Sequence, residues 1–268
     1  MSMWEHIKKD FQSGDPEIMN WALIKPAYLP FLMSTSYLLF VYFLGPHLMK
    51  HRRPFKLRIL MIFYNLAIVL AYARCAIKAT YLFVTTDISE YFCNNASVLQ
   101  SPSIYELAVI SWYIYLLKYV EYLDTIFFVL RKKYHQITIL HVFHHALLPI
   151  CIWTILRTEK GLFQLTIGIL NGVVHVVMYT YYGLAAAGIK QEYLWWKKYI
   201  TRLQMVQLLL IVKLQIFAIY MECYTTAISF YMCAILNILF FILFGNFYIH
   251  TYKPRYKKGS KADIVHID

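Results

Sequence analysis

Three histidines, His141, His144 and His145, lie inside an apolar segment long enough to cross a bilayer. Positions i, i+3 and i+4 share one helix face, so the three imidazoles are expected to form a single patch. A bilayer interior penalises imidazole, and polar clusters held at that depth mark function. Neutral imidazole offers two chemistries, nucleophilic attack on an acyl group and ligation of a metal ion.

Other polar residues recur at helical spacing on neighbouring apolar segments. Lys118, Glu121 and either Asp124 or Thr125 follow one side of a helix. Unpaired charges are costly at this depth, so they are expected to pair with each other or with the histidines. The plainer reading is an ion pair that only holds helices together. Asn171, His175, Met178 and Tyr182 form a second polar stripe, with Tyr179 and Tyr181 alongside. A third segment opens with Thr201, Gln204 and Gln207, just after Trp195, Trp196, Lys197 and Lys198. The two tryptophans read as interfacial anchors, whereas Thr201 and Gln204 are candidates to contact a bound head group. Phe244, Phe247 and Tyr248 lead into Tyr252, Lys253 and Arg255, a membrane anchor or the rim of a cytosolic opening.

The elements that must position these residues follow from composition. Of 268 residues, 60% are hydrophobic, 18% aromatic and only 15% charged, and the mean hydropathy is +0.51. That is too apolar for a soluble domain. Seven stretches, near 28–48, 59–84, 105–130, 137–156, 162–186, 199–220 and 227–250, each reach the roughly 20 residues a spanning helix needs. The expected fold is an all-α integral membrane protein of seven transmembrane helices in one domain, 1–268. The second and third stretches are long enough to tilt or to project from the bilayer. The first does not read as a signal peptide, because a polar segment with Asp10, Asp15 and Glu17 precedes it.

Orientation follows the cations. The segments after spans one, three and five, with the tail, hold Lys50, Arg52, Arg53, Lys56, Arg58, Arg131, Lys132, Lys133, Lys190, Lys197, Lys198, Lys253, Arg255, Lys257, Lys258 and Lys261, against Lys8, Lys9, Lys25, Arg157 and Lys160 opposite. This asymmetry places the N-terminus in a lumen and the C-terminus in the cytosol. The net charge of +12 belongs mainly to one face. It does not form the continuous basic stripe of a nucleic-acid binder, so no nucleic acid is expected as a partner. Cys93 and Cys223 both fall on the lumenal side, where an oxidising compartment would let them pair as a disulfide; two separate thiols are the other reading. Asn95-Ala96-Ser97 is a glycosylation sequon on the same side.

Taken together, Lys118-x-x-Glu121-x-x-Asp124-Thr125, His141-x-x-His144-His145, Asn171-x-x-x-His175-x-x-Met178-Tyr179-x-Tyr181-Tyr182 and Thr201-x-x-Gln204-x-x-Gln207 resemble the very-long-chain fatty acid elongases of the endoplasmic reticulum. The resemblance covers nearly the whole chain, with the four motifs in order. It implies six helices forming a barrel around an acyl-chain tunnel, with a seventh helix besides. The implied reaction joins a long-chain acyl-CoA to malonyl-CoA, giving 3-oxoacyl-CoA two carbons longer, CO2 and CoA, with no cofactor and no metal. Similarity to the family points to His144 as the nucleophile. His141, His145, Asn171 and His175 are candidates to orient it and to donate to the enolate oxygen, and Glu121 or Asp124 to fix a tautomer. Contacts to CoA are expected from Lys118, Arg131, Lys133, Gln136, Lys198, Thr201, Gln204 and Arg255, with Tyr181 along the pantetheine path. Membrane lipid, a second copy of the chain and other enzymes of the elongation cycle are the remaining partners expected. Residence in the endoplasmic reticulum rests on the resemblance.

Two alternatives differ in class. Membrane desaturases and hydroxylases use similar histidine boxes to bind two irons, but need about eight histidines. Here only four of the ten cluster. A seven-span transporter or receptor could use Arg74, Lys78, Lys118, Glu121, Asp124 and Lys213 along a pathway, yet the sequence shows no internal repeat. Lys213 itself reads equally as the closed end of a tunnel or as a lysine snorkelling to the interface.

Overall fold

The computed structural model describes residues 3–12, 14–85, 102–158, 163–222 and 226–252. Two short helices, α1 (Met3–Gln12) and α2 (Pro16–Met19), precede the first apolar helix. That helix runs as α3 (Leu29–Leu39), one wide π-helical turn over Phe40–Leu44, and α4 (Gly45–Met49). The Gly45 N–H reaches back five residues to the Phe40 carbonyl. The wide turn sits directly before Pro46, whose ring would crowd a carbonyl in a regular helix.

The remaining helices are α5 (Arg58–Thr85), α6 (Pro102–Val120), α7 (Tyr122–Leu130), α8 (Ile139–Thr158), α9 (Phe163–Ala186), α10 (Lys197–Tyr220) and α11 (Ala227–Tyr252). No strand occurs among the described residues. Six helical segments are long and apolar enough to cross a membrane: Leu29–Met49, Arg58–Thr85, Ile139–Thr158, Ile167–Ala186, Gln191–Tyr220 and Ala227–Tyr252. This is a multi-pass membrane protein.

The stretch 105–130, read from sequence as one span, is divided at Glu121 into α6 and α7. The division is a tightened turn: Asp124 N–H bonds the Glu121 carbonyl at 3.1 Å, three residues back rather than four. Glu121 is drawn inward by Lys118, with which it forms a buried ion pair.

Helix α5 packs along α9 and against α6. Helix α6 meets α8, α8 meets α11, α11 meets α10, and α10 meets α9. Helix α3 lies against α8. One large core, including Tyr72, Tyr115, Ile114, Trp153 and Tyr179, joins these helices. The segment before α3 is tied to that core: Trp153 Nε1 donates to the Ile24 carbonyl at 3.0 Å, and the Tyr115 hydroxyl donates to the Leu23 carbonyl at 3.1 Å.

Three links fix which helix ends lie together. Arg58 Nη2 donates to the Ala187 carbonyl, Phe55 N–H to Leu130, and Lys132 Nζ to Lys50. The ends of α4, α7 and α9 and the start of α5 therefore share one face of the molecule. Two caps finish helices there. Ile189 N–H bonds Leu184, with Gly188 between them at φ +81°. Lys133 N–H bonds Phe128 in the same way, but around Lys132 at φ +56°. Both are Schellman turns, which need a left-handed residue after the helix.

Candidate active site

Lys118 stands near the end of α6 and is only 1% exposed. Its Nζ donates to Glu121 at 3.2 Å, to Asn171 Oδ1 at 3.1 Å and to His175 Nε2 at 3.0 Å. An ammonium has three protons, and these three groups engage all of them. Such saturation lets a cation remain buried among apolar helices.

The protonation of His175 follows from its partners. Nδ1 lies 2.9 Å from the Asn171 carbonyl oxygen, which can only accept, so Nδ1 carries the proton. Nε2 is then the lone-pair nitrogen that accepts from Lys118. Its 3.4 Å approach to Glu121 Oε1 brings two acceptors around one ammonium. Glu121 takes a further bond from the Tyr72 hydroxyl of α5 at 2.5 Å. The same cation orients Asn171, because it claims Oδ1. The other amide atom, Nδ2, has no partner among the described residues.

The histidine box faces two ways. His144 lines a cavity, its ring nearly parallel to that of His175 at a centroid distance of 6.2 Å and 5.4 Å from Phe240. Among the described residues neither nitrogen of His144 has a hydrogen-bond partner. His141 Nε2 instead meets Thr125 Oγ1 at 2.7 Å, and that hydroxyl meets Tyr37 of α3 at 2.8 Å. His145 is buried between them, its ring 4.3 Å from His141 and 5.3 Å from His144. Successive residues are about 100° apart on a helix, so His144 and His145 diverge even though each neighbours His141. Pro149, four residues after His145, cannot supply the in-helix bond to the His145 carbonyl. One residue further on, the Ala146 carbonyl accepts from Ser34 of α3 at 3.0 Å.

Asp124 is not part of the Lys118 group. Its Oδ2 accepts from the Tyr179 hydroxyl at 2.5 Å. Among the described residues, no three His, Cys, Asp or Glu side chains are grouped as metal ligands would be.

The cavity, of about 130 Å³, runs between α6, α8, α9, α10 and α11. Its polar end is His144, Asn171, His175, Gln204 and Gln207, and its far end is walled by Ile155, Leu156, Ile167, Ile211 and Cys233. A polar end and an apolar far wall are the lining that an apolar chain with a reactive group at one end requires.

The residues expected to hold a nucleotide head group are placed as follows. Arg131 is half-buried, with Nη1 on Met61 Sδ at 3.1 Å. Lys133 and Gln136 are exposed between α7 and α8. Lys198 is exposed, its Nζ 5.2 Å from the Tyr199 ring. Thr201 is buried near the start of α10. Gln204 lines the cavity and donates to Met178 Sδ at 3.4 Å. Tyr181 lies in a small core with Leu194 and Ile200, edge-on to Trp196 at 5.2 Å, and does not line the cavity. Lys213 is exposed on α10 and likewise does not line it. Arg255, Cys93, Cys223 and Asn95 fall outside the described residues.

Four residues of the site were not singled out from sequence. Tyr72 had a usable signal, since Asn65 and Tyr72 lie seven apart on the buried face of α5. Tyr37, Ser111 and Asn237 are isolated polar residues in apolar runs and carry no comparable pattern.

Fold and site together define a multi-pass membrane protein with a buried histidine, lysine and carboxylate centre at the head of an apolar cavity. The chain belongs to the GNS1/SUR4 (ELO) family, whose model matches residues 22–261. It is 34% identical over 257 residues to a very long chain fatty acid elongase of Aedes aegypti, covering 93% of this chain and 70% of that one. It is 36% identical over 259 residues to very long chain fatty acid elongase 4 of Homo sapiens, covering 93% and 79%. Elongase 7 of Rattus norvegicus is 38% identical over 256 residues, covering 93% and 88%.

Proposed function

We propose that this chain is the condensing enzyme of fatty acid elongation, an acyltransferase that makes 3-oxoacyl-CoA from a long-chain acyl-CoA and malonyl-CoA. The observation that carries the mechanism is His144, at the head of the cavity with both ring nitrogens unengaged by any described residue. A lone pair free of partners is what a nucleophile requires.

In the first half-reaction a His144 nitrogen attacks the thioester carbonyl and the C–S bond breaks. The proton on the other ring nitrogen passes to the departing thiolate, giving CoA and an acyl-imidazole. In the second, malonyl-CoA loses CO2 and its electron pair becomes an enolate. The enolate carbon attacks the acyl carbonyl and the C–N bond to His144 breaks. A solvent proton restores the imidazole. The Asn171 Nδ2 is the donor placed to hold the enolate or carbonyl oxygen, because Lys118 fixes the amide with Oδ1 turned away. His175, with both nitrogens engaged, keeps Asn171 and Lys118 in register. His141, His145 and Glu121 hold these groups in place.

Helices α5, α6 with α7, α8, α11, α10 and α9 form a barrel around the acyl tunnel, a reading supported by each packing on the next. Helix α3 is the seventh and lies outside. The shared face that carries Arg58, Lys132 and Lys133 is cytosolic, so the CoA moieties bind there and the N-terminus is lumenal, in the endoplasmic reticulum. The test is to incubate purified protein with a long-chain acyl-CoA and no malonyl-CoA. CoA release with an acyl adduct on His144, absent in His144→Ala, is expected. CoA release only after malonyl-CoA is added would replace the two-step scheme with a single ternary complex.

A further inference from the structure

The wall of the cavity is not uniformly apolar beyond His144. Ser111 of α6 and Asn237 of α11 line it, and each is only 5% exposed. Ser111 Oγ and Asn237 Oδ1 are both buried without a hydrogen-bond partner. The Asn237 amide is oriented by its other end, since Nδ2 donates to the Leu208 carbonyl at 3.2 Å. Oδ1 is thereby left as a pure acceptor. A helical serine usually turns back to a carbonyl one turn earlier, and Ser111 does not.

Their depths differ. Phe240 touches His144, and Asn237 lies three residues away on the same helix, about 4.5 Å further along the axis. Ser111 precedes Lys118 by seven residues, about 10 Å along α6. A saturated acyl chain passing both would seal two polar atoms against methylenes, which neither water nor protein then satisfies. A double bond gives Ser111 a weak acceptor but gives Asn237 no donor. A hydroxyl group both donates and accepts, so it satisfies whichever of the two it reaches.

We propose that Asn237 and Ser111 form a polar subsite part-way along the acyl cavity, and that the enzyme accepts acyl-CoA substrates carrying a hydroxyl on the chain at the matching depth. The proposal rests on the elongase reading above. The experiment compares condensation of malonyl-CoA with a saturated acyl-CoA and with isomers of equal length whose hydroxyl is moved along the first half of the chain. Wild type should turn over isomers hydroxylated at either of two depths, one for each polar atom, at least as well as the saturated chain, and the others about tenfold worse or more. Measured against the saturated chain in the same variant, Asn237→Leu should lose about tenfold in kcat/KM for the isomer with the shallower hydroxyl and Ser111→Ala for the deeper one. Equal discrimination against every isomer, or variants that change all substrates alike, would overturn the subsite and leave those atoms to bound water. Failure with the saturated chain in wild type would instead overturn the elongase reading itself.

Discussion

Removing one charge of the buried pair should cost far more than removing both. Lys118 and Glu121 are each 1% exposed and 3.2 Å apart. Lys118→Met leaves the Glu121 carboxylate with the Tyr72 hydroxyl but no cation. Glu121→Gln leaves the ammonium without its anion. Breaking a buried pair from one side costs about 3–5 kcal/mol, so each single variant should fall by about 6–20 °C in Tm at about 2–4 °C per kcal/mol for a chain of this size. In the double variant no charge is stranded. The glutamine introduced by Glu121→Gln presents one amide atom at the position of Oε1, which the Tyr72 hydroxyl and, at 3.4 Å, His175 Nε2 share, so it satisfies one of the two directly. The cost of the double change should be about 1–2 kcal/mol, the order of one or two altered hydrogen bonds. Thermal unfolding of all four proteins in one detergent, followed by near-UV circular dichroism, gives the cycle. A double variant whose loss equals the sum of the singles would refute the claim that the charges stabilise each other. Condensation should be lost in Lys118→Met and in the double variant, because both release His175 and Asn171 from the ammonium.

Three further outcomes follow from local geometry. Lys132 holds φ +56° at a helix end, and the long exposed bond from its Nζ to the Lys50 carbonyl, at 3.4 Å, offsets little of that strain, so Lys132→Gly should stabilise by about 1 kcal/mol; an unchanged or lower Tm would contradict this. Gly188 has φ +81°, and a Cβ there would lie 2.6 Å from Arg58 Nη2. Gly188→Ala should therefore lose about 1–2 kcal/mol, and adding Arg58→Ala should recover only the steric part. Tyr37→Phe takes from Thr125 one of its two hydroxyl-network partners, the other being His141; kcat should fall several-fold with KM for malonyl-CoA unchanged, and a wild-type kcat would show that this network does not position the histidine box.

The spans were legible because twenty apolar residues in a row admit one interpretation, and six helical segments appear within a few residues of where hydropathy places them. The break at Glu121 was not legible. Nothing in Lys118-Tyr119-Val120-Glu121 marks a helix end; the turn tightens because a carboxylate must reach a lysine, a histidine and a tyrosine on three helices. From sequence the polar stripe of α9 faces the histidine helix, and the pairing of Lys118 on α6 with Asn171 and His175 of that stripe was not legible, because it depends on which helix packs beside α6. The histidine box read as one patch because i, i+3 and i+4 spacing groups residues around a centre, whereas the divergence of His144 from His145 depends on which helices flank α8. Tyr181 was expected along the pantetheine path beside the stripe that ends at Tyr182, yet packing of Leu194, between α9 and α10, takes it into a separate core.

The links from α3 bear on how the chain comes to exist in the membrane at all. Ser34 and Tyr37 belong to α3, which leaves the ribosome before α7 and α8. Their partners, Tyr122, Thr125 and the Ala146 carbonyl, are 88 to 112 residues downstream. Hydrocarbon supplies no substitute donor or acceptor in the interval. Helix α3 is therefore incomplete when it is inserted and becomes settled only once α7 and α8 arrive beside it. Synthesis that stalls between α3 and α7 exposes two unanswered hydroxyls within the bilayer, a chemical signature by which an unfinished chain differs from a finished one.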